Sequence, residues 1–360
     1  MSVEMPNPSM TMGQKGDDVI LEVKDLKVHF HLDEGRLKSV DGVDLVIRKG
    51  KTLGIVGESG CGKSVTSQAL LRIVPNPGKT EGEILLKRQN EAAGGSGTGD
   101  VVDLVKLDPV GKEIRSIRGG EIAMIFQEPM KAFSPIHTIG NQIMEAILLH
   151  RTSDKKEAWD IALETLISVG MSNPEQRLNE YPHQLSGGMR QRAMIAMALA
   201  SHPNILIADE PTTALDVTVQ AQVLKLINDL KEKLNTSVIF ITHDLGVIAE
   251  MSDEVAVMYL GKVVEYTDVD TLFYGPRHPY TIALLHSIPS VARRSERLES
   301  IDGSVPYPMN LPAGCGFYSR CKKAQSGVCN VADIPLVKVK DNHYVRCLFA
   351  EEPYTGGDGR

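Results

Sequence analysis

The 360-residue chain is long enough for about two domains with a sizeable hydrophobic core. Its 42% hydrophobic and 24% charged residues exclude collagen-like, low-complexity and disulfide-scaffold chains. The 39 Lys and Arg against 46 Asp and Glu leave a net charge of −7, so the chain lacks the basic surface of a nucleic-acid-binding or anionic-lipid-binding protein.

The N-terminal residues 1–18 are polar and without periodicity, which predicts a disordered tail that carries no secretion signal. No run approaches the roughly 18 apolar residues that span a bilayer. We therefore expect a reducing cytosol, in which the five cysteines favour metal binding, catalysis or burial over a disulfide framework.

Apolar periodicity predicts an α/β chain. Strands are predicted at 20–30, 43–47, 52–56, 121–126, 204–208, 237–241 and 254–258, and helices at 65–73, 190–200, 217–234 and 245–251. The Gly-rich segment 88–100 predicts an exposed insertion, and helical periodicity without strands from 138 to 200 predicts a helical subdomain. The alternation of strands and helices is typical of a parallel sheet covered by helices. Beyond about residue 268, a Pro-rich region with four cysteines predicts a separate C-terminal module.

The segment Gly57–Ser64 (GESGCGKS) joins a predicted strand to a predicted helix, which is the context of a phosphate-binding loop. Its glycines let backbone amides surround a phosphate, Lys63 reaches the outer phosphates, and the Ser64 hydroxyl binds Mg²⁺. The expected nucleotide contacts are Gly57, Glu58, Ser59, Gly60, Cys61, Gly62, Lys63, Ser64 and Val65. The side chain of Cys61 stands where the pattern leaves it free, so we interpret that side chain as structural.

Two carboxylates, Asp209 and Glu210, end the predicted strand at 204–208. We expect Asp209 to hold Mg²⁺, usually through water, and Glu210 to polarise a water that attacks the γ-phosphate. Such a pair alone is common at the end of a core strand, but the phosphate loop in the same chain favours the catalytic interpretation.

The segment Leu185–Met189 (LSGGM) precedes an apolar helix, so Ser186, Gly187 and Gly188 form a second amide-rich anion site at a helix start. This segment resembles the signature motif of ABC-type ATPases, with Met189 in place of the usual Gln, as in the peptide-transporter branch. On these motifs the chain resembles the ATP-binding subunits of oligopeptide, dipeptide or nickel ABC importers over roughly residues 19–350.

The resemblance implies further site residues. Gln127 matches the Q-loop, whose amide senses Mg²⁺ and the attacking water, and His243 matches the switch histidine at the γ-phosphate. Residues 214–216, ending in Asp216, match the D-loop at a dimer seam. Phe30 stands where the family has an adenine-stacking aromatic, although an ordinary half-buried strand residue remains an alternative.

The resemblance also implies an ABC-type P-loop ATPase domain at 19–267, with a helical subdomain at about 128–200, and a C-terminal extension at 268–360. Two such domains pair head to tail, so Ser186 and Gly188 would complete the ATP site of the partner. The expected partners are a second ATPase subunit, either a copy or a paralogue, two transmembrane permease subunits and an extracytoplasmic solute-binding protein. The chain would then lie at the cytoplasmic face of the membrane as a peripheral subunit.

In the extension, residues 277–281 (RHPYT) resemble the opening of the family's C-terminal region and predict a Pro-started helix at 280–287. The spacing of Cys315, Cys321, Cys329 and Cys347 matches neither paired zinc knuckles nor ferredoxin runs. Some members of the branch carry a [4Fe-4S] cluster at this place. We therefore rank an iron-sulfur cluster as the first interpretation of the four cysteines, a zinc site as the second and four unligated thiols as the third.

Two other functions compete with peptide import. A soluble ABC ATPase acting on ribosomes or DNA would be expected to carry two cassettes or a long coiled-coil insertion, and the sequence has neither. A degenerate regulatory subunit without turnover is disfavoured because Lys63, Glu210 and His243 are all present. The transported substrate is not encoded in this chain.

Overall fold

Strands and helices alternate along most of the chain and build two sheets with helices packed on them. The computed structural model describes residues 18–88, 100–213, 215–287, 301–309, 311 and 313–350. The predicted tail at 1–18, except Asp18, and most of the Gly-rich insertion at 88–100 lie outside the described residues, as does Ala214 of the predicted D-loop.

The strands are β1 Val19–Leu32, β2 Gly35–Arg48, β3 Thr52–Val56, β4 Gly78–Lys87, β5 Val101–Asp103, β6 Ile122–Ile125, β7 Ile205–Asp209, β8 Ser237–Thr242, β9 Glu254–Tyr259, β10 Lys262–Asp268, β11 Val337–Lys340 and β12 His343–Val345. The helices are α1 Lys63–Leu70, α2 Lys112–Ile117, α3 Pro129–Ala132, α4 Ile139–His150, α5 Lys155–Ser168, α6 Pro174–Leu178, α7 Gly187–Leu199, α8 Val217–Leu234, α9 Leu245–Met251, α10 Val269–Tyr274 and α11 Pro279–His286. Short 3₁₀ turns lie at Leu104–Lys106, Pro182–Gln184 and Tyr318–Arg320.

The larger sheet has eight strands within the described residues, in the order β11-β12-β10-β9-β3-β8-β7-β6. The five strands from β9 to β6 are parallel, and β10, β12 and β11 extend the sheet antiparallel. Strands β3, β7 and β8 are buried along their whole length, which explains why they read as continuous apolar runs.

Successive residues of β7 face opposite sides of this sheet. Ile205 and Ile207 join a hydrophobic cluster with α1 and the smaller antiparallel sheet, whose order is β2-β1-β4-β5. Leu206 and Ala208 join a second cluster with α7 and α8. The sheet is therefore covered on both faces, as the strand–helix alternation predicts.

The strand-free region between β6 and β7 forms the helical part of the fold. Thr138 and Asp154 cap the first turns of α4 and α5 with their side chains. Buried residues of α4, α5 and α7, including Ile143, Ala162 and Met194, share the second hydrophobic cluster. Because this cluster also contains alternate residues of β6, β7 and β8, the helices are packed directly against this face of the sheet.

The C-terminal extension continues the larger sheet, whereas its composition predicts a separate module. β12 pairs with β10 through Glu265↔Val345 and Tyr266↔Tyr344. The fully buried Glu265 carboxylate accepts hydrogen bonds from the backbone N–H groups of Arg277 and His278, at 2.7 and 2.9 Å, and from His343 Nε2 at 2.8 Å. A buried carboxylate needs such partners, and here the extension supplies them. The boundary at 267/268 therefore crosses a continuous sheet.

Among the helices of the described residues, none is both long enough and apolar enough to cross a membrane.

Candidate functional site

Four neighbouring parallel strands, β3, β8, β7 and β6, bring the predicted site residues together. The phosphate loop follows β3, Asp209 ends β7, and Gln127 and His243 follow β6 and β8. In parallel α/β sheets, ligands bind at the carboxyl ends of the strands. The motifs are therefore adjacent in space although they lie far apart in the sequence.

The phosphate loop wraps around the ammonium group of Lys63, whose side chain is buried. Lys63 Nζ donates to the carbonyl oxygens of Gly57 and Glu58 at 2.7 and 3.2 Å. Gly62 has a φ of +104°, and a Cβ there would lie 2.3 Å from the Ser39 carbonyl oxygen. Only glycine fits this close approach of two backbones.

Behind the loop, Ser64 Oγ donates to Asp209 Oδ1 at 3.1 Å and Ser67 Oγ lies 3.4 Å from Asp209 Oδ2. Burial raises the pKa of Asp209 above its ordinary value, and the hydrogen bond from Ser64 offsets only part of that effect. Hydroxyl and carboxylate oxygens are the donors that Mg²⁺ prefers. The predicted magnesium residues Ser64 and Asp209 are thus in direct contact.

Glu210 is the centre of a group of polar side chains. Gln127 Nε2 donates to Glu210 Oε2 at 3.1 Å, Thr213 Oγ1 donates to the same oxygen at 2.9 Å, and His243 Nδ1 lies 3.4 Å from Glu210 Oε1. Glu210 also has a left-handed backbone with a φ of +47°, which is unusual for a residue with a side chain and is typical of functional sites.

These residues line one open cavity of about 970 Å³. Its lining includes Gly57, Glu58, Ser59, Gly60, Gly62, Lys63, Ser64, Val65, Gln127, Glu210 and His243. Further lining residues are not predicted from the sequence, namely Leu37, Ser39, Thr213, Leu284 and residues 305–308. Thr213 carries a local signal, since it stands three residues after Glu210, but the extension residues carry none.

Two predicted nucleotide contacts lie elsewhere. The Cys61 side chain is buried, with Sγ 4.0 Å from Lys63 Nζ, and it is not among the described residues that line the cavity. Phe30 is likewise absent from that lining, and its ring packs so closely on Gly78 that a Cβ there would lie 2.8 Å from Phe30 Cε1. Phe30 is half-buried on β1, and the adenine-stacking role that the family resemblance assigns to it stays a prediction.

The signature segment forms a separate surface. Ser186 caps α7, with Oγ accepting from the Met189 backbone N–H at 3.4 Å, and Asp216 caps α8 in the same way from Val219 at 3.0 Å. Among the described residues, a Cβ on Gly187 would meet nothing within 4 Å. Since packing against those residues does not require that glycine, we interpret the space above it as available to a partner or a ligand.

The four cysteines of the extension converge on a single small cavity. Cys315, Cys321, Cys329 and Cys347 all line it, and its volume is about 20 Å³, the space of roughly one water. Burial raises the pKa of the Cys315 thiol to about 11 and also raises that of Cys321. Among the described residues, however, no group of three or more His, Cys, Asp or Glu is arranged to hold a metal ion.

Comparison with known proteins identifies two regions. Residues 40–213 match the family model described as "ABC transporter", and residues 264–329 match "Oligopeptide/dipeptide transporter, C-terminal region". The "Probable peptide ABC transporter ATP-binding protein y4tR" of Sinorhizobium fredii is 48% identical over 93% of this chain and 96% of its own length. The "Oligopeptide transport ATP-binding protein AppD" of Bacillus subtilis is 49% identical over 92% of this chain and 97% of its own length.

A similar solved structure is "Dimeric Structure of MJ0796, a Bacterial ABC Transporter Cassette", with a TM-score of 0.59 and 27% identity. The match covers 69% of this chain and 99% of that one.

Proposed function

The chain belongs to the ABC transporter ATP-binding family, in the branch that carries the oligopeptide/dipeptide C-terminal region, and from this premise we propose that it hydrolyses ATP to drive the import of short peptides. The observation that carries the proposal is the single cavity in which the phosphate loop faces Gln127, Glu210 and His243. The names of the relatives concern peptide transport and give no support to the alternative of an ATPase acting on ribosomes or DNA.

ATP would bind with its phosphates in the loop Gly57–Ser64, where Lys63 and the backbone amides neutralise their charge. Ser64, Asp209 and Gln127 would hold Mg²⁺, and the contact between Ser64 and Asp209 supports the first two. When bound, Mg²⁺ supplies positive charge to the β- and γ-phosphates.

Glu210 would orient the attacking water, and His243 would contact the γ-phosphate. The hydrogen bonds from Gln127 and Thr213 hold the Glu210 carboxylate in place, so both residues help to aim it. Catalysis would then consist of positioning and electrostatic stabilisation, as is usual for phosphoryl transfer.

A second ATPase subunit, either a copy or a paralogue, would complete each site with its signature segment. Ser186, Gly187 and Gly188 would act on the ATP of the partner, with Asp216 at the seam. The open space above Gly187 supports this assignment. Two permease subunits, an extracytoplasmic solute-binding protein and a position on the cytoplasmic face of the membrane complete the proposed assembly.

We further propose that the four extension cysteines hold a [4Fe-4S] cluster, with zinc as the second candidate. Support comes from the donor set, since four thiols line one cavity and no carboxylate of the described residues lines it. The cavity is only about 20 Å³ and no three of its thiols are arranged to hold an ion among the described residues, so binding would require the cysteines to rearrange. The cluster would stabilise a segment too small for a core of its own.

The import function can be tested on the complete transporter, co-purified with its membrane subunits and reconstituted in vesicles. We expect ATP-dependent uptake of labelled di- to hexapeptides, and the Lys63→Ala variant should abolish both uptake and ATPase activity. Glu232→Gln, at an exposed position in the last turn of α8, is the control and should retain both uptake and ATPase activity. Uptake that continues in Lys63→Ala vesicles, or ATPase activity without transport of any peptide, would contradict the proposal.

A further inference from the structure

Arg320 connects the C-terminal extension to the phosphate loop. It ends the 3₁₀ turn Tyr318–Arg320, directly before Cys321, and its side chain is only 4% exposed. A buried guanidinium keeps its charge and must be paired, so its partners identify what the extension holds in place.

The partner of Arg320 is Glu58, the second residue of the phosphate loop. Nη1 donates to Glu58 Oε2 at 2.7 Å, and Nη2 donates to Glu58 Oε1 at 3.0 Å. These two parallel hydrogen bonds form the bidentate arrangement that fixes both distance and direction. The pair spans 262 positions of the sequence.

Other contacts prevent the guanidinium from turning. Arg320 Nε donates to the carbonyl oxygen of Asp302 at 3.0 Å, and Nη1 lies 3.3 Å from Tyr259 Oη. The guanidinium also lies 5.8 Å from the ring centroids of both Tyr259 and Phe317. The orientation of the Glu58 carboxylate is therefore set by an arginine that is itself immobilised.

The backbone of Glu58 takes part in the loop that surrounds Lys63. Its carbonyl oxygen accepts from Lys63 Nζ at 3.2 Å, and its N–H donates to Tyr280 Oη at 2.9 Å. A shift of Glu58 would thus move an acceptor of the lysine that is proposed to bind the outer phosphates. Without Arg320, Glu58 would also leave an uncompensated negative charge beside a polyphosphate site, which opposes anion binding.

We infer that Arg320 is a positioning residue for nucleotide binding, through which the C-terminal extension holds the phosphate loop in its binding shape. This inference rests on the proposed function in one respect, namely that the loop binds ATP. Arg320 touches the loop rather than the nucleotide.

The test is a double-mutant cycle on the full chain, in which ATP affinity is measured by titration in the presence of Mg²⁺. We expect Arg320→Met to weaken ATP binding roughly tenfold, because it removes both the restraint and the compensating charge. Glu58→Gln keeps the shape of the side chain, and its effect should differ by at least about threefold between the wild-type and Arg320→Met backgrounds. Arg320→Lys should recover part of the affinity, since an ammonium group can still pair with Glu58.

Arg346→Met is the matched control. Arg346 also belongs to the extension and donates to the carbonyl oxygens of Val263 and Ile334 at 2.9 and 2.8 Å, and in the described part of the chain it makes no hydrogen bond to the phosphate loop. The Arg346→Met substitution should lower the melting temperature without a selective loss of ATP affinity.

Two results would overturn the inference. One is Arg320→Met protein that is folded and binds ATP within twofold of wild type. The other is strictly multiplicative effects of Arg320→Met and Glu58→Gln on ATP affinity. If Arg320→Met does not fold, Glu58→Gln and Arg320→Lys decide alone, and unchanged affinity in both would overturn it. A wild-type chain that binds no ATP would instead contradict the proposed function.

Discussion

Gln127 and Glu210 are joined by a hydrogen bond of 3.1 Å between the amide Nε2 and the carboxylate Oε2. The two residues stand at the ends of β6 and β7, which are neighbours in the sheet. The family resemblance assigns Gln127 to the Q-loop, which is expected to link to the membrane subunits, so this contact would join that loop to the residue proposed to aim the water. A movement of Gln127 would therefore be transmitted directly to Glu210.

For Glu210→Gln we expect ATP to bind normally while hydrolysis falls at least about 100-fold, because the amide cannot act as a base. The measurement is single-turnover hydrolysis together with ATP retention in the assembled transporter. Thr213→Val removes one of the two hydrogen bonds to Glu210 Oε2 and should cost less, on the order of tenfold. Undiminished turnover in Glu210→Gln would contradict the assigned base.

We expect Gly187→Ala to leave ATP binding by the isolated chain unchanged and to lower ATP hydrolysis by the assembled transporter. The added methyl group meets open space, so the melting temperature should not fall. The isolated chain should bind ATP with unchanged affinity, because Gly187 does not line its own cavity among the described residues. ATPase activity of the assembled transporter should nevertheless drop at least tenfold, since the methyl group would occupy the space proposed for the partner's ATP. Full activity would show that this glycine faces no nucleotide.

Tyr307 and Phe30 are alternative candidates for the aromatic residue that stacks on the adenine base. Tyr307 lines the cavity, and the segment around it is joined to β2 by a hydrogen bond of 3.0 Å from Lys38 N to Pro308 O. We expect Tyr307→Ala to weaken ATP binding about three- to tenfold, the value of one lost aromatic contact, and Phe30→Ala to change affinity less. The reverse order in the same titration would instead support the family assignment of Phe30.

Anaerobically purified protein should contain iron and sulfide in an approximate ratio of four each per chain, with an absorption band that dithionite bleaches. Cys321→Ser should lose both, whereas Cys61→Ser should keep them, because Cys61 lies beside Lys63 and away from the other thiols. Zinc in stoichiometric amount would favour the second candidate. Metal-free protein of undiminished stability would count against both.

The carboxyl group of Asp253, which lies outside the candidate nucleotide site, should make the stability of the fold depend on pH. Burial alone would raise the pKa of this carboxyl, but the hydrogen bond from the Thr52 N–H at 2.8 Å and the ammonium groups of Lys51 and Lys231 outweigh it and lower the pKa. The charged carboxylate therefore stabilises the fold above its unfolded pKa of about 4, and this contribution is lost as the pH falls through the folded pKa. Asp253→Asn should cost about 1 kcal/mol of unfolding free energy at pH 7 and progressively less below pH 4, measured by urea unfolding. A cost that is the same at both pH values would contradict this.

The elements that the sequence predicts best are those whose cause is local. The bounds of β3, α8 and α9 agree with the apolar runs at 52–56, 217–234 and 245–251. β10 was not predicted although it forms a hairpin with β9 through only two intervening residues, Leu260 and Gly261. β12 was not predicted because it is three residues long and pairs with β10 about 80 positions away in the sequence. For the same reason no local pattern could predict the contact between Arg320 and Glu58.

The site was predictable where backbone chemistry demands certain residue types, as in the phosphate loop. It was not predictable where a distant segment closes over it, as residues 305–308 do. The roles assigned to individual site residues remain predictions.

The pairing of Glu265 has a consequence for how this protein can be shortened. A chain that stops at residue 267 would keep the carboxylate but lose Arg277, His278 and His343, which supply its hydrogen bonds. It would also remove β12 and so leave β10 as an unpaired edge strand, which promotes self-association. The ATPase domain and the C-terminal extension should therefore melt in one cooperative transition. Proteolytic fragments that end near residue 267 should accumulate as aggregates.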